Sequence, residues 1–240
     1  MTTRTAITPP LVIARVAGFL YLLVAPLGIF GLYVSSTLIV AGDPAATASN
    51  IMASESLFRL GVVSDMLAAI VMLLVVLVLY PLLKPVNRNL ALLMVAFLLV
   101  GVPISLLNKV NQFASLQLLS GVDYLTGFTT EQLQTLAFLF LRLHSRGANI
   151  AFIFWGLWLL PLGYLVFKSG FLPKILGVLL VISCFGYLIN SFAIFLGYPV
   201  NIGLVSAVGE LLFIFWLLIK GVNVEQYNLF LSKQSKETIL

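Results

Sequence analysis

The sequence predicts an all-α integral membrane protein, a polytopic helical bundle of about six transmembrane helices, and two observations indicate this class. Apolar residues make up 61% of the 240 residues and charged residues only 9%, whereas a typical soluble domain carries roughly 25% charged residues. The apolar residues form long unbroken runs, without the alternation of a transmembrane β-strand. Because backbone groups in hydrocarbon must be satisfied internally, such runs form helices. We therefore expect a single transmembrane domain over residues 1–240.

Six apolar stretches reach the roughly 20 residues that cross the hydrocarbon core of a bilayer. They cover residues 13–36, 57–80, 90–112, 147–167, 173–196 and 203–220. Pro26, Pro103 and Pro161 fall inside three of these stretches. Since proline removes a helical hydrogen bond and bends its helix, we expect kinks in the first, third and fourth spans.

Two of the connections between spans carry helix-start signals. Asp43 followed by Pro44 is typical of an N-cap and a first helical position, which predicts a short interfacial helix before the second span. Thr129 and Gln132 fit a capping box, so a helix is expected to start there and to run through 131–146 into the fourth span. The preceding segment GVDYLTGFTT indicates a loop.

The distribution of basic residues predicts the orientation in the membrane. Lys and Arg favour the cytoplasmic ends of spans, and nine of the 13 lie on one side if the N-terminus is cytoplasmic. We therefore expect a multi-pass protein of the plasma membrane with both termini in the cytoplasm. The formal charge of +5 does not indicate a nucleic-acid partner, because the basic residues form no patch. The bilayer is the predicted partner, and protein partners stay open.

Ionisable and amide side chains interrupt the predicted spans. Each ionisable group costs about 2.5–3.5 kcal/mol at the centre of a bilayer, so such residues need an explanation. In the predicted orientation they all lie in the outer half of the membrane or at its outer surface. The sequence therefore predicts one polar cluster, or a cavity open to the outside, formed by Glu55, Arg59, Asp65, Asn108, Gln112, Arg142, Arg146, Asn149, Asn190 and Glu210.

Two interpretations of this cluster stay open. The three arginines could balance the three acidic residues in a structural network, since buried charges are usually paired, although Glu55 and Arg59 could simply form an exposed pair. Alternatively, arginines could bind the carboxylate or phosphate of a ligand through two hydrogen bonds each. Our hypothesis is a non-enzymatic role, in which the cluster binds a small amphipathic or lipid-like ligand, or a membrane partner.

One alternative is a proton- or ion-coupled secondary transporter, with Asp65 or Glu210 as the titrating carboxyl group. The other is an intramembrane enzyme that uses Asp65 and Glu210 together as an acid/base pair. No nucleophile elbow, phosphate loop, dinucleotide or metalloprotease motif supports an enzyme. One histidine and one cysteine exclude a multi-histidine metal site and a bis-histidine haem, so we expect no metal and no cofactor. His144 is a candidate pH sensor, because imidazole titrates near neutrality, or an interfacial side chain with a satisfied hydrogen bond.

Four segments carry a resemblance to a known family: ARVAGFLYLL (14–23), ESLFRLGVVSDM (55–66), LKPVNRNLALL (83–93) and GYLVFKSGFLPKILGVLL (163–180). Together they resemble a bacterial family of uncharacterised multi-pass membrane proteins, the domain of unknown function 4386. The string around Glu55, Arg59 and Asp65 is the most distinctive part, and the last span and C-terminal tail match less. The resemblance implies a bacterial plasma-membrane protein of one domain and implies no substrate.

Overall fold

A computed structural model describes residues 9–198 and 202–237, and within these ranges it contains helices and turns but no strand. A 3-10 turn, Asp123–Leu125, precedes the sixth helix. The α-helices are α1 Pro10–Leu38, α2 Pro44–Ala53, α3 Glu55–Leu83, α4 Arg88–Asn108, α5 Val110–Leu119, α6 Thr130–Leu157, α7 Leu159–Ser169, α8 Lys174–Phe195, α9 Gly203–Ile219 and α10 Val224–Glu237. The prediction of an all-α protein is confirmed.

Five stretches of the described chain are long and apolar enough to cross a membrane: Pro10–Leu38, Glu55–Leu83, Arg88–Leu119, Thr130–Ser169 and Lys174–Phe195. A sixth is added if α9 and α10, which are bent by 97° relative to each other, count as one broken span. Large apolar side chains along these helices are exposed, for example Ile29, Leu107 and Phe185. A soluble protein avoids so large an apolar surface, so the predicted bundle of about six membrane helices is confirmed.

Several of these spans contain a proline, and one span is interrupted beside it. Pro26 and Pro103 lie inside α1 and α4, and a further proline, Pro81, lies inside α3. Pro161 is the third residue of α7, and the fourth span is interrupted just before it, at Trp158. The interruption follows from Pro161, because a proline cannot donate a hydrogen bond to the carbonyl four residues earlier.

The two predicted helix starts are present. The Asp43 carboxylate accepts a hydrogen bond from the Ala46 amide at 2.9 Å and caps α2. At the start of α6, the Thr129 amide donates to the Gln132 side chain at 2.9 Å, and the Gln132 amide donates to the Thr129 hydroxyl at 3.3 Å. This reciprocal pair is a capping box, and α6 continues from it to Leu157 as the sequence predicts.

The chain divides into two compact units. Unit 1 takes Met1–Leu22, Met72–Val100 and Phe152–Leu240, and unit 2 takes Leu23–Val71 and Gly101–Ala151. The helices α1, α3, α4 and α6 contribute residues to both units. Of the predicted site residues, Asn190 and Glu210 belong to unit 1 and the others to unit 2. The single domain over residues 1–240 stays a prediction.

Each unit has its own packed interior. In unit 1, α7 and α8 approach closely at two glycines, since a Cβ on Gly163 would lie 2.6 Å from the Gly177 carbonyl oxygen. Small residues at such a contact let membrane helices pack backbone to backbone. The interior of unit 2 is an apolar cluster of Val34, Leu38, Ile51, Phe58, Val62, Leu116 and Leu141. These two interiors hold the polar groups described next.

Candidate functional site

Unit 2 contains a carboxylate that is paired with a lysine. The Lys109 ammonium donates to the Asp65 carboxylate at 2.7 Å, and the side chains are 9% and 25% exposed, respectively. Lys109 lies at the break between α4 and α5, whereas Asp65 comes from α3. The carboxylate fills the space where a Cβ of Gly31 would lie, so α1 packs directly against the pair. The partner of Asp65 in the described chain is therefore a lysine and not one of the predicted arginines.

A second polar contact in unit 2 joins the end of α4 to α6. The Asn108 side-chain amide donates to the His144 carbonyl at 2.8 Å, and the Asn108 carbonyl lies 3.2 Å from His144 Nδ1. A Cβ on Gly147 would collide with the Asn108 side chain, so a glycine is needed at this contact. The His144 ring thus has a backbone hydrogen-bond partner, and its role as a pH sensor stays a prediction.

Two polar side chains at the end of the third span, Gln112 and Ser115, point into the protein. Gln112 is 2% exposed and Ser115 is fully buried. The Ser115 hydroxyl donates to the Gln112 carbonyl at 2.8 Å, but the side-chain oxygen of Gln112 has no hydrogen-bond partner among the described residues. Asn149 on α6 is also buried, and its amide donates to the Ser145 carbonyl at 2.8 Å.

The predicted arginines of unit 2 are all exposed. Arg59 pairs with Glu55 one helical turn earlier, at 2.6 Å, with side chains 55% and 37% exposed. Arg142 and Arg146 are also exposed on α6. The pair of Glu55 and Arg59 therefore follows the exposed interpretation, and a ligand held by the other two arginines stays a prediction.

Unit 1 contains a carboxyl group that is surrounded by neutral donors. The Glu210 side chain on α9 accepts hydrogen bonds from the hydroxyls of Tyr21 on α1 and Tyr187 on α8. Tyr21 is 4% exposed, and Glu210 is partly buried. Among the side chains that the structure describes, no Lys, Arg or His forms an ion pair with Glu210. The charge of this carboxyl group therefore has no balancing cation there.

Two further buried polar side chains contact neighbours of this carboxyl group. The Trp158 ring packs edge-on against the Tyr21 ring, with 5.8 Å between the ring centroids. Ser183 on α8 contacts the residue before Glu210, since a Cβ on Gly209 would lie 2.5 Å from the Ser183 hydroxyl. Both side chains are fully buried, and neither the indole N–H nor the hydroxyl has a partner in the described chain. We call Tyr21, Trp158, Ser183, Tyr187 and Glu210 the Glu210 site.

Glycines bring the helices of the Glu210 site together. A Cβ on Gly18 would lie 2.9 Å from Leu217 Cβ, where α1 meets α9. A Cβ on Gly156 would lie 2.6 Å from Tyr187 Cβ, where the end of α6 meets α8. Any larger residue at these positions would force the helices apart, so the local sequence sets the spacing of the site.

Four of the five residues of the Glu210 site were not among the predicted site residues. Pro161 indicates where the fourth span is disturbed, and Trp158 lies at that place. For the two tyrosines and Ser183 a single sequence offers no comparable signal, since Tyr21 and Glu210 are separated by 189 positions. Asn190, which was predicted, is partly buried on α8.

The chemistry of the Glu210 site is hydrogen bonding. It offers one carboxyl group as an acceptor and two unpartnered donors, in apolar surroundings where each hydrogen bond is strong. Among the described residues no three His, Cys, Asp or Glu side chains come together as metal ligands. The site therefore combines a hydrogen-bond acceptor with two buried donors that have no partner in the described chain.

Comparison with known proteins gives a family. An uncharacterized protein from Archaeoglobus fulgidus is 35% identical over 153 residues, which cover 62% of this chain and 75% of that protein. No solved structure matches the chain. The family described as "Domain of unknown function (DUF4386)" matches residues 16–221, a range that includes Tyr21, Lys109 and Glu210. The predicted resemblance is thus confirmed, and the chain belongs to the DUF4386 family.

Proposed function

We propose that this membrane protein binds a small amphipathic or lipid-like molecule from within the bilayer, with the polar group of that molecule at the Glu210 site. One observation carries the proposal: two fully buried donors, the Trp158 indole and the Ser183 hydroxyl, have no acceptor in the described chain. The large majority of buried side-chain polar atoms in proteins have a hydrogen-bond partner. In hydrocarbon an unpaired group costs several kcal/mol, so an acceptor supplied by a ligand would be strongly favoured.

The composition of the site favours a particular class of polar group. An acceptor oxygen of the ligand would accept a hydrogen bond from the Trp158 indole N–H or from the Ser183 hydroxyl. A donor of the ligand, such as a hydroxyl, amide or amine, would bind the Glu210 carboxyl group. Because no cation pairs with Glu210 among the described side chains, a strongly anionic head group is disfavoured here. The ligand class is therefore a neutral or cationic amphipathic molecule that carries hydroxyl, amide or amine groups.

Native mass spectrometry of the gently solubilised full chain tests this proposal. We expect a reproducible added mass on the wild-type protein that is lost in Trp158→Phe, which keeps an aromatic ring beside Tyr21 but removes the N–H. The matched control is Trp216→Phe, because Trp216 lines a different cavity of unit 1. A clean apo mass for the wild-type protein, or equal loss of the ligand from both variants, would contradict the proposal.

One observation favours a second candidate, a proton-coupled secondary transporter. The fourth span is broken at Trp158, and transporters commonly bind substrate at broken helices beside intramembrane carboxyl groups. In reconstituted vesicles, gradient-driven uptake of the molecule found by mass spectrometry would be abolished by Glu210→Gln. Binding of the molecule without gradient-driven uptake would exclude the transporter and favour a binding protein. Among the described residues, no contact in either unit favours the enzymatic alternative.

The proposal also includes the predicted location, a plasma membrane with both termini in the cytoplasm. Asp123 and Ser232 are both exposed, so cysteines there are open to a membrane-impermeant reagent, whereas the native Cys184 is buried. In intact cells we expect labelling of Asp123→Cys from the outside. Ser232→Cys should label only after the membrane is permeabilised. The reverse pattern would overturn the orientation but leave the Glu210 site unaffected.

A further inference from the structure

The C-terminal helix α10 has the character of a helix that lies at a membrane surface. It follows α9 after a bend of 97°. Tyr227, Phe230, Leu231 and Gln234 are spaced by three, one and three residues and are partly buried, whereas Ser232 is exposed. An amphipathic helix with one packed and one solvated face is typical of interfacial segments. We therefore treat α10 as a surface element of unit 1 rather than as a continuation of the last span.

Contacts near both ends hold α10 against unit 1. Near its start, the Asn223 amide donates to the Phe171 carbonyl at 3.1 Å, and the Tyr227 ring packs edge-on against Phe171 at 5.0 Å. Towards its end, the Gln234 side-chain amide donates to the Pro85 carbonyl in the turn between α3 and α4. The position of α10 beside this turn is therefore fixed by hydrogen bonds and not by apolar packing alone.

A cavity of about 710 Å³ lies between α10 and the α3–α4 turn. Its polar lining consists of two cations, Lys84 and Arg88, with the carboxamides of Asn87, Asn89 and Gln234. The remaining lining is apolar, and none of the lining residues in the described part of the chain is acidic. The cavity thus combines two positive charges and amide donors with an apolar wall.

We infer that this cavity binds a phosphate group, and that the phosphate belongs to the head group of an anionic phospholipid. The Arg88 guanidinium can hold two phosphate oxygens in a planar fork, and the Lys84 ammonium adds a point charge. The apolar lining and the amphipathic α10 favour a lipid over free phosphate, because both suit a molecule that is partly immersed in the membrane. This site is independent of the Glu210 site.

The test is a lipid titration of the full-length protein followed by native mass spectrometry. The probes are phosphatidylglycerol, phosphatidylcholine and inorganic phosphate. The test variant is the double substitution Lys84→Gln with Arg88→Gln. The matched control is Lys168→Gln with Lys174→Gln, because these two lysines are also exposed in unit 1 but do not line the cavity. Both variants remove two positive charges from the same unit.

We expect the affinity for phosphatidylglycerol to fall roughly 30-fold in the cavity variant and to stay unchanged in the control, since each basic residue near an anionic lipid contributes about a factor of five. Arg88→Gln alone should lower the affinity for phosphatidylglycerol roughly five-fold. This single variant replaces the double variant in the test if the double variant folds poorly. If inorganic phosphate displaced the lipid, the cavity would still be a phosphate site, but its ligand would be free phosphate, and the phospholipid part of the inference would be wrong. Equal loss in both variants, or equal binding of phosphatidylcholine, would overturn the inference.

Discussion

Asp65 in unit 2 and Glu210 in unit 1 are both carboxyl groups within apolar helices, and their surroundings differ. Asp65 has a lysine at 2.7 Å, so two charges compensate each other. Glu210 has two phenol hydroxyls and no cation among the described side chains. A buried ion pair loses most when one partner is removed, because the other charge stays behind uncompensated. A carboxyl group held by neutral donors tolerates an uncharged replacement that accepts the same hydrogen bonds.

The comparison also separates the ion pair of unit 2 from the Glu210 site. Unit 2 has a buried oxygen without a partner among the described residues, on the Gln112 side chain, but both charges of its ion pair are satisfied. In unit 2, Asp65 and Lys109 satisfy each other, and Asn108 bonds the backbone of His144. Their contacts tie α3, α4 and α6 together. In the Glu210 site, the donors of Trp158 and Ser183 have no partner in the described chain. Ligand binding is therefore proposed for unit 1, and a structural role for the ion pair of unit 2.

The largest expected effect is that of breaking the ion pair in unit 2. Lys109→Met leaves the Asp65 carboxylate without its cation, and we expect the free energy of unfolding in detergent to fall by about 3–5 kcal/mol. The double variant Asp65→Asn with Lys109→Met should recover most of this loss, because neither charge remains. The control is Glu55→Gln, which removes an exposed pair and should cost less than about 0.5 kcal/mol.

A similar loss in Lys109→Met and Glu55→Gln would remove the distinction between the two carboxyl groups, because the pair of Asp65 and Lys109 would then behave like a surface pair. Failure of the double variant to recover stability would show that an uncompensated charge is not the cause of the loss, and would point to the hydrogen bond between the Lys109 ammonium and the Asp65 carboxylate.

An intermediate effect is expected where α1 packs on the ion pair. The Asp65 carboxylate occupies the space of a Cβ at Gly31, so Gly31→Ala must displace the carboxylate and should cost about 1–3 kcal/mol. Gly28, three residues earlier on the same helix, has nothing within 4 Å of a Cβ. Gly28→Ala should therefore stabilise the protein by up to about 1 kcal/mol, the usual helix preference for alanine. Thermal unfolding of both variants, side by side, measures the difference, and equal shifts would contradict the close contact.

Local features of the structure could be predicted from the sequence, but the partners of the carboxyl groups could not. Asp43 with Pro44, and Thr129 with Gln132, start helices through bonds to residues three positions away, so a single sequence contains both partners. The apolar runs that define the spans are equally local. Pro161 likewise acts on a residue within one turn of its own helix.

The pairs that build the two polar regions are long-range. Asp65 and Lys109 are 44 positions apart, and Tyr21 and Glu210 are 189 positions apart. Which cation meets which carboxylate depends on how the helices pack, and that depends on small residues such as Gly18 and Gly31. A single sequence shows these glycines but not what each one contacts. The outer polar cluster and the orientation accordingly stay predictions.

The smallest expected effect is that of neutralising Glu210. Glu210→Gln keeps a carbonyl oxygen that can accept from the Tyr21 and Tyr187 hydroxyls, so we expect the free energy of unfolding to fall by less than about 1 kcal/mol. Asp65→Asn removes the same charge but leaves Lys109 unpaired, and should cost about 3 kcal/mol or more. Glu210→Leu, which removes the acceptor as well, should cost about 1–3 kcal/mol because two buried hydroxyls lose their partner.

The order of these three variants in a single unfolding series is therefore decisive for the comparison. If Glu210→Gln destabilised the protein as much as Asp65→Asn, the negative charge of Glu210 would itself stabilise the fold, which requires a balancing cation and makes the site structural. If Glu210→Gln is as stable as the ligand-free wild-type protein and yet does not carry the added mass in native mass spectrometry, the carboxyl group is dispensable for folding and needed for binding. That combination distinguishes a ligand site from a packing contact. A substitution that removes only a packing contact lowers the stability of the protein and leaves the bound molecule in place.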